Sequence, residues 1–451
     1  MTKTHTSFVC QQCGNESASW FGRCPSCGEW NSLVETRRIV GSKQLAVGSR
    51  ERRGTAVVPQ QLASIKHTET NRFSTGFAEF DRVLGGGIVP GGVILISGDP
   101  GVGKSTLLLA VMGRVGGPPS SGGSGEASWY VTGEESAEQV KMRASRLGIS
   151  KKDLYILPET NIENILDAIN RAQPKPQVLV IDSIQTMMTE SLEGIAGSVG
   201  QIRQATQLFI GLAKRERISI FLVGHVTKEG TIAGPRLLEH MVDVVCYFEG
   251  ERYYQGRILR SLKNRFGPTD EVGIFEMEEK GLTEISNPSK LFLENRVTKV
   301  PGSTVGVTLE GTRPLLVEIQ SLVVPTQLAM PRRVVNGVDF NRLQVILAIL
   351  QKRLNLGFGQ FDVFVNVSGG LKLTEPAVDL PVALSLISAI KNKPMPASLA
   401  SFGELGLLGE LRRVQGEDKR LKEAKRLGFT TTVSPTTSDS LEKIYRTYFV
   451  A

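Results

Sequence analysis

Eight consecutive residues, Gly98-Asp-Pro-Gly-Val-Gly-Lys104-Ser105, bring glycines, a lysine and a hydroxyl together at the spacing G-x-x-x-x-G-K-[ST]. Glycines let backbone N–H groups curl around phosphate oxygens, and a helix N-terminus behind them adds partial positive charge. Gly98, Asp99, Pro100, Gly101, Val102 and Gly103 would form the cradle, with Thr106 just beyond it. Lys104 would reach the β- and γ-phosphates, and the Ser105 hydroxyl would ligate Mg²⁺. The ligands expected from this loop are ATP and Mg²⁺.

Three further polar groups stand where apolar runs end. Val178-Leu-Val-Ile-Asp182-Ser183 reads as a buried strand with a carboxylate at its C-terminal edge, where ligands sit in open α/β sheets. Asp182 would hold the Mg²⁺ shell through water. Trp129-Tyr-Val-Thr-Gly-Glu134-Glu135 carries two carboxylates. Cleaving ATP needs a group that orients or deprotonates water in line with the γ-phosphate, and Glu134 is the first candidate, Glu135 the second. Ile220-Phe-Leu-Val-Gly-His225 ends in an imidazole that could contact the γ-phosphate and report it to the basic loop 227–236.

A second chemistry lies near the start. Cys10-x-x-Cys13 and Cys24-x-x-Cys27 are two knuckles whose four thiolates can converge on a tetrahedral Zn²⁺. A filled shell leaves no open position, so the role is structural or recognition. Trp20, Phe21 and Trp30 flank the knuckles and are expected to pack against the site in preference to stacking on bases. Cys246 is the fifth cysteine. This usage argues against a disulfide framework and for a reducing, cytoplasmic compartment.

These groups need a scaffold. Strand-like runs at 92–97, 128–132, 177–181 and 219–223 alternate with helical patterns, which predicts a mostly parallel sheet covered by helices. After 288 the pattern changes to an α+β arrangement. Strands are expected at 304–309, 315–322 and 361–367, and helices at 339–354 and 377–390. The expected organisation is a cysteine module at 1–35, a linker at 36–70 with one strand near 56–58, an α/β P-loop domain at 71–285 and a separate domain at 288–451. Gly116-Gly-Pro-Pro-Ser-Ser-Gly-Gly-Ser-Gly125 reads as an exposed loop. The 451 residues carry a net charge of +8, which suits a polyanionic partner, and no run of apolar residues is long enough to span a membrane.

The stretch from Asp81 to Thr106 resembles the RecA-type ATPase core. With the four-cysteine module ahead of it and Lys263-Asn-Arg-Phe-Gly267 behind it, essentially the whole chain resembles the bacterial RadA/Sms recombination and repair proteins. That resemblance implies a homo-hexameric ring ATPase that binds single-stranded and branched DNA, acts as a DnaB-type helicase, drives branch migration and works with the RecA recombinase. It places Lys263 and Arg265 at a subunit boundary, where they would reach the neighbour's γ-phosphate or contact DNA phosphates. The C-terminal region resembles the Lon protease domain, but Asp379 stands where the serine nucleophile should be and Asp418 where the lysine should be, with Lys419 beside it. An aspartate cannot replace an activated hydroxyl, so proteolysis is not expected. A ring-forming scaffold and DNA surface is expected instead, including Arg332-Arg333, Lys352-Arg353 and Arg412-Arg413. A non-motor adaptor that loads RecA and uses ATP as a switch is the second reading.

Overall fold

The computed structural model describes residues 3–10, 15–26, 28–40, 72–115, 127–225, 235–250, 256–285 and 287–450. The chain divides into two compact units, Met1–Glu284 and Ile285–Ala451. The expected strand near 56–58, the Gly/Ser/Pro patch and most of the loop after His225 lie outside the described residues.

The chain begins with a three-stranded antiparallel ribbon. Strand β1 (Lys3–Cys10) pairs with the short β2 (Glu16–Ser17) and, along its whole length, with β3 (Leu33–Val40). Pairing therefore continues five residues past 35, into the segment read as linker. Thr36 pairs with Ser7 and Val40 with Lys3, so β1 satisfies the backbone groups on the side of this stretch that faces it.

The rest of the first unit is one nine-stranded sheet. Its parallel part comprises β4 (Val93–Gly98), β5 (Ser128–Thr132), β6 (Leu154–Pro158), β7 (Val178–Asp182), β8 (Ser219–Val223) and β9 (Val244–Glu249). Their spatial order is β9-β4-β8-β7-β5-β6. Strands β10 (Gly256–Asn264), β11 (Val272–Glu278) and β12 (Gly281–Glu284) extend it antiparallel beyond β9. Helices α1 (Ala78–Val83), α2 (Lys104–Arg114), α3 (Ala137–Arg146), α4 (Ile162–Arg171), α5 (Val199–Glu216) and α6 (Pro235–Met241) complete it. Ile94, Ile96, Val178 and Val180 point into one hydrophobic cluster, shared with α2; Val93, Leu95, Leu179 and Ile181 point into another, shared with α5. Strands buried on both faces must be apolar at every position, which is why 93–96 and 178–181 read as continuous hydrophobic runs.

The second unit is α+β. Strands β13 (Ser303–Glu310), β14 (Arg313–Pro325), β15 (Arg333–Asn336), β16 (Phe361–Val367), β17 (Leu399–Ser401) and, later in the chain, the strand Thr431–Val433 form a mixed six-stranded sheet. A two-stranded ribbon joins Glu404–Leu405 to Leu411–Arg412. Helices α7 (Pro288–Leu293), α8 (Phe340–Leu354), α9 (Asp379–Lys391), α10 (Glu417–Arg426) and α11 (Leu441–Tyr445) accompany them. Asp339 caps α8, its side chain accepting from the Arg342 N–H at 2.8 Å. Among the described residues no helix is long and apolar enough to cross a membrane.

Candidate nucleotide site

Four neighbouring strands, β4, β8, β7 and β5, end at one edge of the sheet, and each delivers a residue singled out above. The glycine loop follows β4, His225 follows β8, Asp182 closes β7 and Glu134 follows β5. The loop requires its glycines. Gly98, Gly101 and Gly103 have φ of +147°, +80° and +112°. A Cβ on Gly98 would run into the Phe248 carbonyl, and one on Gly103 would lie 2.6 Å from Met277 Cε. Lys104, only 3 % exposed, donates to the Gly98 and Asp99 carbonyls at 2.7 and 3.0 Å. Burial lowers its pKa to about 8, against the opposing pull of Asp182, Asp99 and Glu134. The ammonium is therefore held at the loop before any phosphate arrives.

The two glutamates part company. Ser136 caps α3 in a capping box with Gln139, so the helix start needs neither of them. Glu135 pairs with Arg143. Glu134 instead accepts from Ser183 Oγ at 2.7 Å and lies 3.6 Å from His225 Nε2. That nitrogen is buried and has no hydrogen-bond partner among the described residues. Burial, reinforced by the Lys104 charge, holds the imidazole below its usual pKa, so it is neutral at pH 7. Asp182 accepts from the Tyr130 hydroxyl. Tyr130 is fully buried, and burial and the adjacent carboxylate push its pKa well above the ordinary value, so it stays a donor. With one oxygen held by Tyr130, the Asp182 carboxylate is fixed at the strand end. A hydroxyl and a carboxylate, Ser105 and Asp182, form a donor set that suits a hard divalent cation.

Sequence reasoning missed Tyr130, Ser183 and Arg257. Arg257 on β10 donates from Nε to the Val102 carbonyl of the glycine loop at 3.3 Å. Ser183 follows Asp182 directly and was legible as a polar residue at a strand end. Tyr130 and Arg257 carried no spacing signal, because strand pairing alone brings them here.

Lys263 and Arg265 are not brought to this site. Asn264 pairs with Val244 and Gly98 with Phe248, so the Lys-Asn-Arg-Phe-Gly segment lies four β9 residues away, roughly 13 Å, at the opposite edge of the sheet. Lys263 Nζ donates to the carbonyls of Glu239, His240 and Val242 at 2.7, 3.2 and 2.8 Å, closing the C-terminus of α6. Arg265 is more than half exposed and sits 3.5 Å from Asp243. The other three residues hold the segment in place. Asn264 Oδ1 accepts from the Phe266 N–H, Phe266 packs over Gly92, and Gly267 approaches Gly85 so closely that a Cβ on either would meet the other's Cα at 3.0 Å.

In the ribbon, Cys10 and Cys24 are buried in one cluster with Leu33, and Cys10 Sγ donates to Ser32 Oγ at 3.2 Å. Cys13 and Cys27 lie outside the described residues. Two converging buried thiols fit a zinc knuckle. The flanking aromatics correct the sequence expectation: Trp20, Phe21 and Trp30 are 55, 48 and 67 % exposed. The cluster of Cys10, Cys24 and Leu33 is too small to shelter them, and Leu33 and Phe8 fill the places beside the thiols.

In the second unit Asp379 is fully buried and clasped by Arg342 of α8, and it also accepts from the Leu405 N–H at 3.1 Å. The bond to Asp379 raises the Arg342 pKa. Asp418 and Lys419 are exposed on the first turn of α10. Four of the six cations expected to face DNA already have acceptors within the unit. Arg332 holds Asp362, Arg333 the Phe361 and Phe358 carbonyls, Arg353 the Leu407 carbonyl and Arg412 the Glu410 carboxylate. Lys352 and Arg413 are exposed.

A glycine loop between a parallel strand and a helix, with polar groups from the adjoining strand ends around it, defines a RecA-like P-loop ATPase of the α/β class. Residues 59–231 match the family described as an AAA domain, residues 8–35 a rubredoxin metal binding domain, and residues 334–438 subunit ChlI of Mg-chelatase. The DNA repair protein RadA of Bacillus subtilis (strain 168) is 47 % identical over 96 % of this chain and 93 % of its own length. RadA of Listeria monocytogenes serovar 1/2a is 48 % identical over 98 % and 94 %. The chain belongs to the RadA family of DNA repair proteins. Among solved structures, a KaiC-like protein from Pyrococcus horikoshii OT3 aligns with 20 % identity and a TM-score of 0.39, covering 48 % of this chain and 99 % of that one.

Proposed function

We propose that this chain is a DNA-dependent ring motor. It would bind single-stranded and branched DNA, hydrolyse ATP in a homo-hexamer, act as a helicase in branch migration and work beside RecA in the cytoplasm. The observation that carries this reading is the separation of two cationic sets on one sheet. Lys104 sits at the edge that holds the glycine loop, and Lys263 and Arg265 sit at the other. Cations that cannot serve their own loop are suited to a neighbour's loop in a head-to-tail ring.

Within a subunit, Lys104 and the loop N–H groups would neutralise the β- and γ-phosphates. Ser105 and Asp182 would hold Mg²⁺, which when bound supplies charge compensation between the phosphates. Glu134, steadied by Ser183, would orient the attacking water, and neutral His225 would sense the γ-phosphate from Glu134's other side. The four cysteines would hold Zn²⁺. The ribbon, linker, ATPase core and C-terminal unit would be separate functional parts, the last a Lon-type scaffold without peptidase activity. The buried Asp379–Arg342 pair supports that last point, since a nucleophile must reach its substrate.

The decisive measurement is the ATPase rate with and without single-stranded DNA, beside Lys104→Ala, together with strand displacement on a forked substrate. DNA stimulation that vanishes in Lys104→Ala is expected. No stimulation and no displacement would overturn the motor. One observation favours the adaptor reading: all the Lys263 hydrogen-bond donors are taken up within its own chain. Glu134→Gln separates the two, because an adaptor retains repair in cells without hydrolysis and a motor does not.

A further inference from the structure

The ribbon carries a surface that the nucleotide site does not use. Trp20, Phe21 and Trp30 are all about half exposed or more, within a module that has almost no core of its own. Their placement is specific. The six-membered rings of Trp20 and Trp30 converge over Gly22, whose missing side chain leaves the space between them open; a Cβ there would lie 3.7 Å from Trp20 and 3.9 Å from Trp30. The Arg23 guanidinium lies over the Trp30 ring, 5.7 Å from its centre, and its Nε donates to the Gly28 carbonyl at 2.7 Å. The platform is stiffened from below. Arg23 bridges Trp30, the Asn31 N–H donates to the Gly22 carbonyl, and the Cys24 N–H donates to the Glu29 carbonyl at 2.8 Å. These bonds belong to the turn that bears Cys24, so they fix the backbone from which Trp30 projects and on which Gly22 sits.

We propose that Trp20, Phe21 and Trp30, with Arg23, form a stacking platform for the unpaired bases of a single-stranded nucleic acid. Exposed rings with an arginine plane beside them offer what a base recognises irrespective of sequence, a π-face and a delocalised cation. Electrostatics does not supply the grip. Residues 1–35 hold Lys3 and Arg23 against Glu16, Glu29 and Glu35, so the module is not a phosphate-binding patch. The exposed residues next to the rings in sequence, Ser19, Glu29 and Asn31, are polar, so the rings themselves are the apolar surface on offer. The inference rests on the DNA-binding reading above and names a contact surface within it.

The test uses intrinsic fluorescence, since Trp20 and Trp30 are two of three tryptophans and the third, Trp129, packs against the sheet core. The full, zinc-loaded chain is titrated with oligothymidylate and with an abasic oligomer of equal length and charge. The base-bearing strand is expected to quench the emission and the abasic strand to leave it unchanged. In W20A/W30A the affinity for oligothymidylate, read by anisotropy of a labelled strand, is expected to fall at least about five-fold, with abasic binding unaltered. W20F/W30F should restore most of the loss, and zinc content and DNA-free ATPase should match the parent. Equal quenching by both strands, or unchanged affinity in W20A/W30A, overturns the platform. Intact DNA affinity with lost binding to a RecA filament would assign the rings to a protein and overturn it too. A parent chain that binds no DNA at all would instead sink the motor reading and the platform together.

Discussion

At the scale of single residues, the site is tuned by burial. The Lys104 side chain is buried beneath the glycine loop with its pKa lowered to about 8, and bound phosphates favour its charged form. Nucleotide binding therefore takes up a proton once the pH passes that value. Affinity measured calorimetrically should be flat near pH 7 and fall above pH 8, by at most about tenfold per pH unit. Lys104→Arg, whose guanidinium does not titrate, should lose the pH dependence along with much of the affinity. On the acid side, His225 takes up its proton only at a lower pH than an unperturbed histidine does. Hydrolysis should decline only there, and His225→Asn should abolish that limb of the pH–rate profile. Glu134→Gln should bind ATP with parental affinity and hydrolyse it at least about 100-fold more slowly; a parental rate would move the role to another group.

At the scale of elements, the sheet edge explains which residues were legible. The glycine loop and Asp182 announce themselves because a strand buried on both faces is a run of apolar residues, and whatever polar group ends it stands out. Glu134 could be separated from Glu135 only by structure, since the Ser136 cap and Arg143 decide which carboxylate faces the site. Strand β10 escaped notice because the charged residues Arg257, Arg260 and Lys263 break up its apolar pattern. Backbone geometry carries its own prediction. Gly98→Ala, at φ +147° and against the Phe248 carbonyl, should cost at least about 2 kcal/mol in denaturant unfolding and abolish nucleotide binding. In the second unit, Asp379→Ala leaves the Arg342 guanidinium facing a buried void. It should cost about 2 kcal/mol, less than a fully buried pair because Arg342 is one-third exposed. Asp379→Ser should gain no peptidase activity on casein.

At the scale of the whole molecule, the two edges of the core sheet would set the terms for assembly in the proposed ring. Neutralising Lys263 or Arg265 should leave ATP binding intact and uncouple DNA binding from hydrolysis, read as loss of DNA stimulation at unchanged nucleotide affinity. Cys27→Ser should likewise spare ATP binding while impairing DNA-coupled turnover. DNA affinity should fall steeply with added salt, because phosphate contacts release counterions. The Lys263 contacts have one more implication. Its ammonium is shared among three carbonyls at the end of α6. To grip a phosphate next door, the lysine would have to let go of that helix end, leaving those carbonyls to water. Occupancy of one pocket would then be felt in the adjoining subunit as a change of clientele for a single amine, a handover in which α6 loosens as the seam between subunits tightens.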